Sequence, residues 1–169
     1  MNSTENNMEQ LFLEAYDEYA DAIFRHCTLR MGNREKGKDL MQDTFMKAWE
    51  YISKDKPIGN MRAFLYKVAN NLIIDNVRKR NVRKEDSLEA LQEKGFDLHD
   101  AKQSPIREYE GKTIVETIQK IEEPYRTALT MRYVDDLTIG EISDVVGISD
   151  NATSVRIHRG LKQLTSILT

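Results

Sequence analysis

The sequence predicts an all-α protein built as two small helical bundles joined by a flexible linker. Three observations carry that prediction. Apolar residues recur at spacings of three and four through most of the chain. Only 3 prolines and 8 glycines interrupt 169 residues, so long helices meet few obstacles. The helical period fades between about Val82 and Arg107 and then resumes, which separates two domains.

In the first half, Leu11, Phe12, Ala15, Tyr16, Tyr19, Ile23 and Phe24 predict a helix over about 8–30. Gly32 and Asn33 break it. A second helix over about 34–52 turns Leu40, Met41, Thr44, Phe45, Ala48 and Trp49 to one side. Pro57 and Gly59 mark a loop. A third helix over about 61–80 turns Phe64, Leu65, Val68, Ala69, Leu72, Ile73 and Val77 inward. Three amphipathic helices share one core, which defines a first domain at 8–84.

The interval 85–105 reads as the linker, with at most a helical turn at Ser87–Leu91. The second domain, 106–169, reads as four helices over about 106–121, 124–133, 139–146 and 150–168. Pro124 suits a first helical turn, where its missing N–H costs little. Ile139, Ile142, Val145 and Val146 lie on one helical face. Gly147 stands where a helix must stop and the backbone must turn left-handed. Ser149 is placed to cap the helix that follows. Helix, glycine turn and Ser-capped helix form the helix-turn-helix pattern, whose second helix enters the DNA major groove.

Charge distribution supports a nucleic-acid partner although the net charge is −3. Over 60–84 the charged residues are Arg62, Lys67, Arg78, Lys79, Arg80, Arg83 and Lys84 against one acid, Asp75. Over 85–123 acids outnumber bases. A basic block beside an acidic one suggests a phosphate-facing surface next to a solvated connector.

Other classes find little support. No apolar run approaches the length of a membrane span, and the polar start is unlike a secretory signal. Cys27 is the single cysteine and reads as a buried thiol. His26, His99 and His158 are far apart and show no metal-ligand spacing. No phosphate-binding glycine loop and no nucleophile elbow occurs. The chain is therefore expected to need no cofactor or metal and to be no enzyme.

Two runs in the first half are diagnostic: Asp39-Leu40-Met41-Gln42-Asp43-Thr44-Phe45-Met46-Lys47-Ala48-Trp49, and Ala63 through Arg80. Together with Ile121 through Tyr133, Leu137 through Ser149 and Val155 through Arg159, they resemble the extracytoplasmic-function group of the bacterial sigma-70 family over nearly the whole chain. Either half alone is moderately specific. The ordered pair is highly specific.

The resemblance implies a cytoplasmic transcription-initiation protein, monomeric when free, that binds core RNA polymerase and reads promoter DNA at −10 and −35. Asp39, Gln42, Asp43 and Phe45 match the family's polymerase-binding helix. On periodicity alone, the first three read as a solvated helix face and Phe45 as core. The loop of about Ser53–Asn60 and the third helix match the region that reads the opened −10 strand. There, Asn71 would read a base with its amide, and Lys67 lies one turn earlier. Arg78, Lys79 and Arg80 would hold the backbone, or serve only as a favourable charge cluster at a helix end. The plain alternative for Asn70 and Asn71 is exposed helix polarity.

Asn151, Ser154, Arg156, His158 and Arg159 lie on the recognition helix and match or neighbour positions that touch the −35 element. The chain departs from common family residues at several places. Phe64 stands for a usual Trp, Thr153 for a usual Val, and Ser154 for a frequent Lys or Arg. Arg34-Glu35-Lys36-Gly37-Lys38 replaces a commonly acidic lead into the polymerase-binding helix. Family members are often held by an anti-sigma factor, and no residue here decides that point. The rivals are a dimeric helix-turn-helix regulator acting alone, which leaves the first domain unexplained, and a protein-binding adaptor, which leaves Arg78–Lys84 incidental.

Overall fold

The chain divides into two units, 1–97 and 98–169, each with its own core. The computed structural model describes residues 3–86 and 108–169, with side chains over 3–83 and 114–169. The linker assigned to 85–105 and the turn at Ser87–Leu91 lie outside the described residues, apart from Glu85 and Asp86. Every regular element among the described residues is helical.

The first unit consists of α1 (Ser3–Met31), α2 (Arg34–Ser53) and α3 (Met61–Asp86). Gly32, with φ +65°, turns the chain after α1. Asn33 then caps α2, its Oδ1 accepting from the Lys36 N–H at 3.0 Å, which satisfies one of the unpaired amides of a first turn. Asn60 caps α3 in the same way, accepting from the Ala63 N–H at 3.0 Å. Ile23, Cys27, Leu40, Phe45, Leu65, Ala69 and Ile73 meet in the core, and Cys27 is fully enclosed. Gly37 lets α2 lie against α1 at Thr28. A Cβ at residue 37 would come within 2.8 Å of the Thr28 Cα and N.

Three expectations for this unit need correction. Trp49 is 37% exposed rather than core, and Leu11 and Tyr16 are exposed as well. The first half of α1 is covered by α2 on one side only, so part of its apolar stripe faces water. Asn70 is not surface polarity: it is buried, and its Oδ1 accepts from Arg30 Nη1 at 2.9 Å, which ties α3 to α1. The third helix also continues six residues past Arg80. Its second half carries Ile74, Val77 and Val82 exposed, so the basic block rides on a stretch of helix that the core covers only in part.

The second unit consists of α4 (Glu108–Gln119), α5 (Tyr125–Leu129) continuing as a wider π turn over Thr130–Val134, α6 (Ile139–Val146) and α7 (Asp150–Leu168). Pro124 lies just before α5 rather than inside its first turn. The carboxylate of Glu123 takes the capping role, accepting from the Thr127 N–H at 3.2 Å and from its hydroxyl at 2.7 Å. Thr138 and Glu141 form a reciprocal capping box on α6, with bonds of 3.1 and 3.0 Å. Gly147 takes φ +75° and ends α6, and Ser149 Oγ accepts from the Ala152 N–H at 3.1 Å to start α7. Both roles are as the sequence predicts. Ile118, Ile121, Leu129, Met131, Leu137 and Ile142 form the core of this unit.

Candidate polymerase and promoter surfaces

α2 divides cleanly between its two sides. Leu40, Met41, Thr44, Phe45 and Ala48 are buried, and Asp39, Gln42, Asp43 and Met46 are exposed. The exposed set advances by three and four residues, so it forms one stripe along the helix. Asp39, Gln42 and Asp43 therefore share an outward face. Phe45 does not belong to it. Its side chain is 3% exposed, and its ring packs at 4.9 Å on Tyr16 and at 6.2 Å edge-on to Phe12. Phe45 supports the face from below.

α3 presents a second stripe. Lys67, Asn71, Ile74 and Arg78 are exposed at spacings of four, three and four, opposite the buried Tyr66, Ala69, Asn70 and Ile73. An ammonium, an amide and a guanidinium thus follow one another along a single edge. Lys79 is exposed beside them and Arg80 is half-buried. The Arg30–Asn70 bond lies one residue from Asn71 and fixes this turn of α3 against α1. Arg30 also meets His26 Nε2 at 3.3 Å, and the His26 ring stands edge-on to Tyr66 at 5.1 Å. The sequence reading missed Arg30, because a contact across 40 residues leaves no local periodic trace.

The loop before α3 is pinned by its aromatic neighbours. Phe64 and Tyr51 lie 4.8 Å apart, Lys56 stands over the Tyr51 ring at 5.2 Å, and the Tyr51 hydroxyl reaches the Pro57 carbonyl at 3.5 Å. The Phe64 ring is used within the protein, where it packs on Tyr51 at the end of α2. Residues Ser53–Lys56 and Asn60 remain exposed.

In the second unit, α7 buries Thr153, Ile157, Gly160 and Leu164 and exposes Asn151, Ser154, Val155, His158 and Arg159. Arg156 is half-buried at the flank. The buried Thr153 hydroxyl lies 2.8 Å from that of Ser143 on α6. Each has a single proton, so one hydroxyl donates to the other while the second donates to a carbonyl of its own turn, that of Ser149 or of Ile139. The buried Thr153 is thus matched by a serine on the facing helix, and the pair ties α6 to α7. An unpaired hydroxyl there would be costly; a paired one is not.

Among the described residues no group of His, Cys, Asp and Glu is placed to hold a metal ion. No described helix is long and apolar enough to cross a membrane. Of the three histidines, His26 is enclosed, His158 is exposed, and His99 lies outside the described residues.

A helix-turn-helix with an open polar face, in one chain with a helical bundle that carries a basic, amide-bearing edge, is an arrangement suited to binding nucleic acid. Comparison with known proteins gives the family. Sigma-70 region 2 matches residues 15–83, and sigma-70 region 4 matches residues 112–164. The chain is similar to the ECF RNA polymerase sigma factor SigW of Bacillus subtilis, at 26% identity over 92% of this chain and 88% of that protein. It is similar to SigM of the same organism at 29% identity, over 91% and 93%. In fold it resembles the sigma factor RpoE of Bartonella quintana, solved with the anti-sigma factor NepR. That match has a TM-score of 0.72 and 20% identity, over 93% of this chain and 96% of that one. The chain belongs to the extracytoplasmic-function group of the sigma-70 family. It is a sigma factor, a regulatory DNA-binding protein that works with RNA polymerase in promoter-specific initiation.

Proposed function

We propose that the two units divide the work of initiation. The first unit, placed at 8–84, docks on core polymerase through Asp39, Gln42 and Asp43 and reads the −10 element through Lys67, Asn71 and the loop at 53–60. Arg78, Lys79 and Arg80 hold the phosphate backbone there. The second unit, at 106–169, reads the −35 duplex through Asn151, Ser154, Arg156, His158 and Arg159. The observation that carries this division is the separation of exposed from buried positions on α2, α3 and α7: each presents a mainly polar exposed stripe over a mainly apolar back. Phe45 serves as the support beneath the polymerase face.

The protein acts by binding, in the cytoplasm, without a catalytic step of its own or a bound cofactor. When free it is a monomer. A protein of the anti-sigma type is a second candidate partner, because sigma factors of the same fold are solved in such complexes.

Co-purification with core polymerase tests the docking face. Gln42→Ala combined with Asp43→Arg should reduce the bound fraction while helicity stays at the wild-type level, because both side chains are exposed. Wild-type recovery of the double variant would remove α2 from the interface.

The −35 face is tested by salt. Arginine binds guanine bidentately or holds phosphate. If Arg159 and Arg156 hold only phosphate, replacing either with Ala should weaken two unrelated duplexes alike and reduce the slope of log K against log salt by about one unit. If one reads a base, only the cognate duplex should suffer. No change on either duplex would exclude a DNA role for that arginine.

A further inference from the structure

The bond between Arg30 and Asn70 is one rung of a larger bridge between α1 and α3. On α1, His26 and Arg30 stand four residues apart and so share a side of the helix. On α3, Tyr66 and Asn70 do the same. The His26 and Tyr66 rings meet edge-on with centroids 5.1 Å apart, and Arg30 Nη1 donates to Asn70 Oδ1 at 2.9 Å. Along α1 the two rungs are joined where Arg30 Nη1 comes within 3.3 Å of His26 Nε2. His26, Tyr66 and Asn70 are buried, and Arg30 is half-buried. Each rung on α3 is followed at once by a residue of the exposed edge: Tyr66 by Lys67, and Asn70 by Asn71.

The bridge matters because apolar packing alone holds the rotation of α3 loosely here. Ile73 is buried, while Ile74, of the same size, is 36% exposed. A small turn of the helix therefore trades one apolar side chain against its like, with little change in buried area. The same turn is not small for Asn71. Side chains stand about 5–6 Å from a helix axis, so a rotation of about 10° moves the amide by about 1 Å. Hydrogen bonds to a base edge do not survive a displacement of that size. A bond donated by a guanidinium is directional and stronger than a neutral one. At Asn70 it acts one residue from the side chain that must be placed, and rotating α3 would take Arg30 from a buried carbonyl oxygen.

We propose that Arg30 is a positioning residue for promoter opening: through Asn70 it sets the rotation of α3 and so places Asn71 against its −10 base. This rests on the reading of Asn71 as a −10 contact. His26, held against Tyr66, backs the guanidinium on its α1 side.

The test is open-complex formation by the full-length protein with core polymerase on a mapped promoter. Permanganate reactivity is read with the −10 bases varied one at a time. Arg30→Ala, Asn71→Ala and the two combined are compared, and the Kd for core polymerase and the unfolding midpoint are measured for each. Arg30→Ala should reduce opening about fivefold or more, the low end for one lost base contact. The loss should fall at the same −10 position as in Asn71→Ala, with the Kd for polymerase unchanged. In the Asn71→Ala chain, Arg30→Ala should cost no further opening, because residues that act through one contact are not additive. Arg30→Lys keeps a cationic donor for a bond that needs no fork, and should restore most of the opening. If Arg30→Ala misfolds, Arg30→Met with Asn70→Leu replaces it. Both partners then become apolar together, which removes the directional bond without orphaning a buried polar group. A loss that shrinks or disappears in the Asn71→Ala chain supports the proposal. A loss of equal size in both chains means that Arg30 acts through stability or a contact of its own, and overturns it. Wild-type opening in Arg30→Ala beside a defect in Asn71→Ala overturns the positioning role and leaves the reading of Asn71 standing. Wild-type opening in both overturns the two together.

Discussion

Gly37→Ala should destabilise the first unit by about 1–2 kcal/mol, although alanine is the better helix former. Two effects oppose each other. Glycine inside a helix costs roughly 0.5–1 kcal/mol relative to alanine, so the substitution gains that much in α2. Against this, the new Cβ would lie 2.8 Å from the Cα and N of Thr28 in α1 and closer still to the Thr28 hydroxyl. A hydroxyl can rotate; a backbone cannot. The two helices must separate, and overpacking of this kind costs about 1–3 kcal/mol. The steric term should win.

Trp49 is the only tryptophan and lies in α2, so urea unfolding followed by its fluorescence reads this unit directly. The midpoint should fall in Gly37→Ala with little change in slope. Thr28→Ala in the same chain should restore only part of the loss, because the backbone contacts remain. Gly160→Ala offers a contrast. The three atoms nearest a Cβ there all belong to the Leu129 side chain, at 3.0–3.2 Å, which can change rotamer, so its net effect should be near zero. An unchanged or raised urea midpoint in Gly37→Ala would show that α1 and α2 are not held in close contact at this point.

Gly37 shows where sequence reading stops. Gly147 and Ser149 could be read from the chain because their roles are local: one backbone conformation and one capping bond. Gly37 acts through a residue on another helix, and nothing near it in sequence marks that. The same limit explains Trp49 and Tyr16. Periodicity identifies a helical face but not whether another element covers it, and α1 has more apolar face than its neighbours cover. The stretch Leu11-Phe12-Leu13 held a usable signal, because three adjacent apolar residues exceed the width of one packed stripe. Asn70 and Asn71 looked alike in sequence. The fold buries the first on Arg30 and exposes the second. The π turn at 130–134 was likewise hidden inside what reads as one helix over 124–133. α3 passes Arg80 because Asn81–Asp86 contains neither Gly nor Pro to stop it.

Asn71→Ala should leave core-polymerase binding and −35 binding near wild type, yet reduce open-complex formation and change the −10 base that is tolerated. The reasoning begins with the side chain. An amide carries a donor pair and an acceptor, so it can recognise a base edge, but only when that edge is unpaired and within reach. Asn71 is exposed on α3 with Lys67 one turn before it and Arg78 two turns after it, on a different helix from Asp39, Gln42 and Asp43. The turn that bears it is anchored behind by the bond between Arg30 and Asn70 at 2.9 Å, so its position does not depend on its own amide. Removing that amide should therefore cost the contact and not the fold. One lost base contact is worth about 1–3 kcal/mol, or roughly 5- to 150-fold in the opening equilibrium. Permanganate footprinting on a mapped promoter, with the −10 bases varied one at a time, measures the effect. Thermal unfolding of the same variant checks that α3 is intact. A loss confined to one −10 position would assign Asn71 to that base. A loss equal at every position would mean a backbone contact. Wild-type opening on all variants would leave Asn71 as exposed helix polarity and move the reading of the −10 strand to the loop at 53–60.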